Sequence, residues 1–77
     1  MLFPNKLFTY SESVISKFPI VLDKLKNRSI GVADLYMEIS DEVSGINEFM
    51  DVLDCLYALN AIYYDKDREV IVYAIAN

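Results

Sequence analysis

Between residues 9 and 27, apolar side chains recur at spacings of three and four, which is the period of an amphipathic helix. The segment reads TYSESVISKFPIVLDKLKN, and Thr9 and Glu12 have the spacing of a capping box that opens a helix. Pro19 removes one backbone hydrogen bond, so the pattern predicts either a kink there or a second helix that Pro19 opens. The predicted apolar stripe consists of Val14, Ile15, Phe18, Val21, Leu22 and Leu25.

A second short helix is predicted in SIGVADLYMEIS, and the connection DEVSG ends it with Gly45 as the break. Asp34 and Glu38 would face solvent on this helix. Its inward side would hold Leu35, Tyr36 and Ile39. A short helix, a tight connection and a further helix in sequence are typical of a helix-turn-helix.

The next helix runs from residue 46 to about residue 60. At 100° per position, a broad apolar face collects Ile46, Phe49, Met50, Val52, Leu53, Leu56, Tyr57, Leu59 and Asn60. The opposite face collects Asn47, Glu48, Asp51, Asp54, Cys55 and Ala58. The pattern therefore predicts a helix with one half in the core and the other half an acidic surface.

After this helix, the segment AIYYDKDREVIVYAIAN predicts a β-hairpin. Residues 62–64 and 70–75 are rich in β-branched and aromatic side chains, which favour strands. The polar segment DKDR predicts a four-residue loop, because neither Asn-Gly nor Asp-Gly is present to form a two-residue turn. The second strand is apolar at nearly every position, so some of its side chains would remain for a partner.

The element order predicts an α+β fold. We expect one small winged-helix-like domain over residues 1–77, with three helices, or four if Pro19 divides the first, followed by a C-terminal β-hairpin. Residues 1–9 show no helical period, and Pro4 and Asn5 predict a turn or an extended arm. This apolar arm either folds back over its own core or docks on a partner.

The charge composition argues against DNA binding by the third helix, which is the helix that would contact DNA in a winged-helix protein. The chain has 12 acidic and 7 basic residues and a formal net charge of −5. Nucleic-acid binding draws on neutralised phosphates, so this balance opposes it. The hydrophobic content of 55% is high for 77 residues, and surplus apolar side chains on a small domain indicate a partner surface.

Little in the sequence indicates a catalytic or metal-binding site. One cysteine, Cys55, and no histidine exclude a zinc site of the usual Cys/His type and a Cys–His or Ser–His pair. Asp51 and Asp54 lie on a convex helix, which offers no pocket to shift their pKa values. The acids of DKDRE lack the glycine and glutamate of a calcium loop. We therefore expect no enzyme, no cofactor and no metal.

The sequence also bears on location. No apolar run approaches the length of about 18 residues that a membrane span requires. The N-terminal segment MLFPNKLFTY lacks the basic and continuous apolar regions of a signal peptide. We expect a cytoplasmic protein.

The segments YSESVISKFPIVLDKLK, ADLY and INEFMDVLDCLYALNAI resemble the small middle component of bacterial three-component ABC ATPase systems. These conflict systems are related to Lamassu anti-phage defence. The resemblance covers residues 4 to 75, and the pattern EFMDVLDCLYALN is its most specific part. It implies a subunit that bridges or regulates an SMC- or Rad50-like ATPase and an effector, often a nuclease, within a hetero-oligomer. It carries no catalytic residues.

Three hypotheses follow from the residues and the resemblance. The first is a non-enzymatic adaptor of a defence complex. The second is a winged-helix DNA-binding transcriptional regulator, and the third is a DNA mimic whose acidic helix occupies a nucleic-acid channel. For the adaptor, the predicted partner interface consists of Phe3, Leu7, Phe8, Tyr10, Glu48, Asp51, Asp54, Tyr63, Ile71 and Tyr73.

Overall fold

A computed structural model describes residues 3–74 of the chain, with side chains from Thr9 onward. The helices are α1 (Phe3–Ser16), α2 (Phe18–Leu25), α3 (Val32–Ile39) and α4 (Ile46–Ala58), with a 3₁₀ turn at Ser40–Glu42 between the last two. Two strands, β1 (Ile62–Asp65) and β2 (Val70–Tyr73), form an antiparallel hairpin after them. This confirms the predicted α+β class and the order of helices followed by a C-terminal hairpin.

The first helix begins earlier than the sequence predicts. The backbone is helical from Phe3, so a turn or extended arm over residues 3–9 is wrong, and so is a helix start capped by Thr9. Pro4 does not form the predicted turn. It lies instead in the first turn of α1, where proline is favoured because its missing N–H would have no partner in the helix.

Pro19 separates two helices and does not kink one. α1 ends at Ser16, and Pro19 lies in the first turn of α2, as the second alternative predicts. Lys17 joins the two helices: its N–H donates to the Val14 carbonyl at 3.1 Å, and its own carbonyl accepts from the Val21 N–H at 3.1 Å. Lys17 therefore keeps both of its backbone groups hydrogen-bonded at the break between the two helices.

A single core holds the helices against the hairpin. Phe49 of α4 is fully buried, and its ring packs on Tyr36 of α3 at a centroid distance of 5.0 Å with a tilt of 55°, a favourable aromatic geometry. The buried apolar residues are Val14, Val21, Leu25, Ile30, Leu35, Ile39, Val43, Phe49, Val52, Leu53, Leu56, Ala61, Ile62 and Ile71.

The hairpin pairs Tyr63 with Val72 and Tyr64 with Ile71, and four residues, 66–69, connect the strands. The other edge of β2 bonds to the segment before α3. There Ile30 and Ile71 exchange two backbone hydrogen bonds, of 3.2 and 2.7 Å. The hairpin is thereby fixed to the helices through Ile30 as well as through the core.

Several predicted core residues lie at the surface. Ile15, Ile46, Met50 and Leu59 are between 42% and 64% exposed. On α4 the buried side is centred on Val52 and Leu56, because α1 and the hairpin pack there. The apolar face predicted for α4 is rotated by about one residue position from the side that is buried. It therefore includes side chains that lie at the edge of the buried side and are exposed.

Candidate partner interface between α1 and α4

Glu48 lies in the first turn of α4 and is only 3% exposed. One carboxylate oxygen accepts a hydrogen bond from the Ser13 hydroxyl at 2.5 Å, and the other accepts from the Ser44 backbone N–H at 2.9 Å. The Lys17 ammonium forms an ion pair with it at 3.3 Å and also donates to the Ser13 hydroxyl at 3.0 Å. The charge is thus buried together with its partners, as a buried carboxylate requires.

These contacts lower the pKa of Glu48 to about 2, mainly through the hydrogen bond from Ser13 and then through the one from Ser44. The network joins the C-terminal end of α1 to the N-terminal end of α4. We infer that it fixes the relative position of the two helices that form the surface described next.

The prediction that Glu48 lies on an exposed acidic face is therefore wrong. Its contact with a partner stays a prediction, which this burial does not favour. The position has a signal in the sequence that the helical projection missed. Glu48 is the third residue of a helix that opens after Gly45, and a glutamate at that position reaches back to cap the backbone before the helix. Lys17, at the break between α1 and α2, supplies the countercharge.

A shallow groove of about 320 Å³ runs between α1 and α4 beside this network. We call it the α1–α4 groove. Its lining residues are Tyr10, Ser11, Val14, Ile15, Asp51, Asp54 and Cys55. Val14 is buried at its base, whereas Ile15 is 58% exposed. The groove therefore combines an apolar base with two carboxylates.

The predicted interface residues Tyr10 and Asp51 meet across this groove. The Tyr10 hydroxyl donates a hydrogen bond to the Asp51 carboxylate, and this bond is the main cause that raises the pKa of Tyr10 to about 12. The negative charges of Asp51 and Glu48 act in the same direction. The phenol at the groove thus lies in a field of negative sign.

Most of the positive charges of the described part form ion pairs away from this groove. Lys24 and Arg28 pair with Glu38, Lys26 pairs with Asp23, and Arg68 pairs with Asp65 at the start of the hairpin loop. Among the side chains that the structure describes, no lysine or arginine forms an ion pair with Asp51 or Asp54.

The predicted interface residues of the hairpin do not share one environment. Tyr63 is 52% exposed on the outer face, and Tyr73 is half-buried against the core. Ile71 is completely buried in the core, so it is not one of the side chains that the hairpin leaves exposed, and its contact with a partner stays a prediction that this burial does not favour. Side chains alternate along a strand, and Ile71 points inward with Ile62 because β2 is covered by the helices.

The remaining predicted interface residues are Phe3, Leu7 and Phe8. Their backbone lies in α1, and their side chains lie outside the described residues. Positions 3, 7, 10 and 14 recur at the spacing of one helical face. Cys55, at the groove, is exposed as the helical projection predicts.

Two functional features are missing from the part of the chain that the structure describes. No three histidine, cysteine or acidic residues from Thr9 to Ala74 come together in a way that would hold a metal ion. Also, none of the described helices combines the length and the apolarity needed to cross a bilayer.

Fold and surface together define a small α+β protein with an acidic, partly apolar groove at its surface. A family model, described as ABC-three component (ABC-3C) system Middle Component 7, matches residues 3–71. The chain therefore belongs to this family of middle components. This confirms the resemblance at the level of the three-component ABC systems. No curated protein and no solved structure matches the chain.

Proposed function

We propose that this chain is a non-enzymatic adaptor and regulatory subunit of a bacterial anti-phage defence complex of the Lamassu-like type. In this role it bridges an SMC- or Rad50-like ABC ATPase and an effector nuclease in the cytoplasm. Membership in a middle-component family over residues 3–71 is the observation that carries the proposal. The proposal takes the three components to act in one complex, in which this chain contacts the other two.

The surface of the molecule supports protein contact. Four large side chains are each more than 40% exposed: Tyr10, Ile15, Met50 and Tyr63. Tyrosine and methionine are enriched where proteins meet. Exposed apolar side chains next to carboxylates that form no ion pair with a described residue are a suitable surface for a partner protein and a poor one for phosphates.

Helix-turn-helix order alone also permits a DNA-binding regulator, so the two functions need a test that separates them. On the outward side of α4, where a recognition helix would present lysine or arginine, Asp51 and Asp54 are exposed. Phosphate contacts supply most of the affinity for DNA. The charge on α4 therefore favours the adaptor.

The test is co-expression of this chain, carrying an affinity tag, with the ATPase and the effector encoded beside it. We expect both larger proteins to co-purify with the tagged chain, and we expect the isolated chain to bind duplex DNA without the steep salt dependence of a phosphate-binding protein. Recovery of neither partner, together with salt-sensitive DNA binding, would replace the adaptor by the regulator.

A further inference from the structure

The α1–α4 groove has a charge and shape that specify the chemistry of what binds there. Its base is formed by Val14 and by the aliphatic side chain of Ile15, and Asp51 and Asp54 line it from α4. No described cation forms an ion pair with either carboxylate, whereas Asp23, Glu38 and Asp65 have lysine or arginine partners. None of the described residues that line the groove is a lysine or an arginine, so its two carboxylates have no countercharge from the described part of the chain.

We propose that the α1–α4 groove binds a positively charged amphipathic segment of a partner protein, with one lysine or arginine placed between Asp51 and Asp54. This inference rests on the proposed adaptor function and deepens it, because it names the docking surface and the chemistry of the partner. Long basic side chains cover apolar surface with their methylene groups while the charged end reaches a polar group. The methylene groups would lie on Ile15 and the charged end would meet the carboxylates.

Arginine fits the groove better than lysine. The two carboxylates are three positions apart on α4, and a guanidinium presents several N–H donors in one plane and binds carboxylates through paired hydrogen bonds. The Tyr10 hydroxyl already donates to Asp51 and orients it. Asp54 has no hydrogen bond or ion pair among the described residues, so it is the carboxylate most available to the partner.

The Glu48 network makes the groove suitable for binding without rearrangement. Glu48, Ser13 and Lys17 tie α1 to the start of α4, one turn away from Asp51. A groove whose walls are already fixed costs less to order when a partner binds. The groove is thus preorganised by buried contacts that the partner does not touch.

The occupant is tested by charge reversal in the assembled complex. Asp54→Lys should weaken the binding of this chain to its partner by roughly tenfold or more, because it places like charges in contact. Asp41→Lys makes the same charge change at an exposed site away from the groove, and it should alter the affinity by less than about twofold. Asp54→Lys should also reduce the salt dependence of binding, because the cross-interface charge pair is lost.

A second pair of variants, one in the groove and one control, tests the apolar part of the groove. Ile15→Ser removes an exposed side chain from the groove and should weaken binding several-fold, whereas Met37→Ser, at an exposed side chain on α3, should leave it unchanged. Both positions are at the surface, so both variants are expected to fold. Equal affinities for Ile15→Ser and wild type would overturn the groove as the docking site.

Cys55 gives an independent measurement, since it is the single cysteine of the chain and lines the groove. Its alkylation by N-ethylmaleimide should be at least about tenfold slower in the complex than in the free chain, because a bound segment covers it. Unchanged alkylation in an intact complex would overturn the groove proposal and leave the adaptor standing. Failure of wild-type protein to assemble would overturn the adaptor itself.

Two other occupants are distinguished in the same experiment. If Cys55 of the purified chain alone is protected at high concentration and the chain sediments as a dimer, the groove binds a second copy and the proposal is wrong. If duplex DNA protects Cys55, the occupant is a nucleic acid and the proposal is equally wrong. Protection only in the presence of the partner protein, lost in Asp54→Lys, supports it.

Discussion

Glu48 shows how one buried charge determines the arrangement of two helices. Its carboxylate accepts hydrogen bonds from Ser13 and Ser44 and pairs with Lys17, so no part of the charge is left without a partner. Removal of one member of such a set leaves the others buried and unpaired, which is more costly than the original interaction is stabilising. Glu48 thus contributes to the fold, and its neighbours Asp51 and Asp54 contribute to the surface.

Glu48→Ala should lower the free energy of unfolding by about 3 kcal/mol, because the ammonium of Lys17 then lies mostly buried without its counter-ion. Urea denaturation measures the change. Glu12→Ala, at an exposed position of α1, is the control and should change the stability by less than about 0.5 kcal/mol. A Glu48→Ala variant as stable as the control would show that the network is not structural.

The pKa of Glu48 predicts how stability depends on pH. In the folded chain the pKa is about 2, against 4.5 in the unfolded chain, so the unfolded state binds the proton more readily. Folding is therefore favoured by the ionised carboxylate at pH values above 4.5, and this contribution is lost as the pH falls from 4.5 towards 2. Its size is on the order of 3 kcal/mol.

Denaturation in urea at several pH values measures this loss. Glu48→Gln cannot titrate, so its stability should fall less steeply than that of the wild type between pH 4.5 and 2. Parallel curves for the two proteins would contradict the assignment of the acid-labile contribution to Glu48.

At the scale of elements, the hairpin loop carries a local strain. Glu69 has a φ of 57°, in the left-handed region that glycine adopts most easily. Asp65 holds the loop from its first strand, because its carboxylate accepts from the backbone N–H groups of Asp67 and Arg68 and pairs with the Arg68 side chain. The loop thus retains a glutamate where its backbone favours glycine.

Glu69→Gly should raise the free energy of unfolding, by up to about 1 kcal/mol, because it removes the cost of the left-handed backbone. Asp67→Gly is the matched control in the same loop at a residue with no positive φ, and it should destabilise the protein by adding freedom to the unfolded chain. Thermal unfolding of both variants gives the comparison. A decrease in melting temperature for Glu69→Gly would contradict the prediction.

The helices and strands could be predicted from the sequence where they depend on local features, namely the spacing of apolar residues and the residue types that form turns. The helix before Pro19, the helices around DEVSG and the hairpin follow from apolar spacing and from the residues that start or end an element. The helical start at Phe3 was missed because Pro4 is equally typical of a turn and of a first helical turn.

The candidate site was only partly predictable. Asp51 and Asp54 are at the surface as predicted, since the helical period places them away from the core. Tyr10 is also exposed, although it lies one turn before the buried Val14 on the same helical face. Glu48 and Ile71 are buried for reasons that depend on partners distant in sequence. Ser13 and Lys17 lie more than 30 positions from Glu48, and no local pattern reveals such a contact.

At the scale of the whole molecule, some charged side chains stabilise the fold through ion pairs, and others lie at the surface where a partner could contact them. Its described lysines and arginines largely serve intramolecular ion pairs, while the groove beside Tyr10 keeps carboxylates without cationic partners. The family match identifies the chain as a middle component of a three-component ABC system, and the proposed adaptor role would give such a surface a function. Bridging of the two larger proteins is the central claim of the proposed function.

The most direct measurement is the mass of the assembly formed by the ATPase and the effector with and without this chain, determined by light scattering of purified components at equal concentrations. We predict a complex containing all three proteins when the chain is present, and separate ATPase and effector species when it is omitted. Association of the ATPase and the effector in its absence, with no change in mass when it is added, would contradict the bridging role.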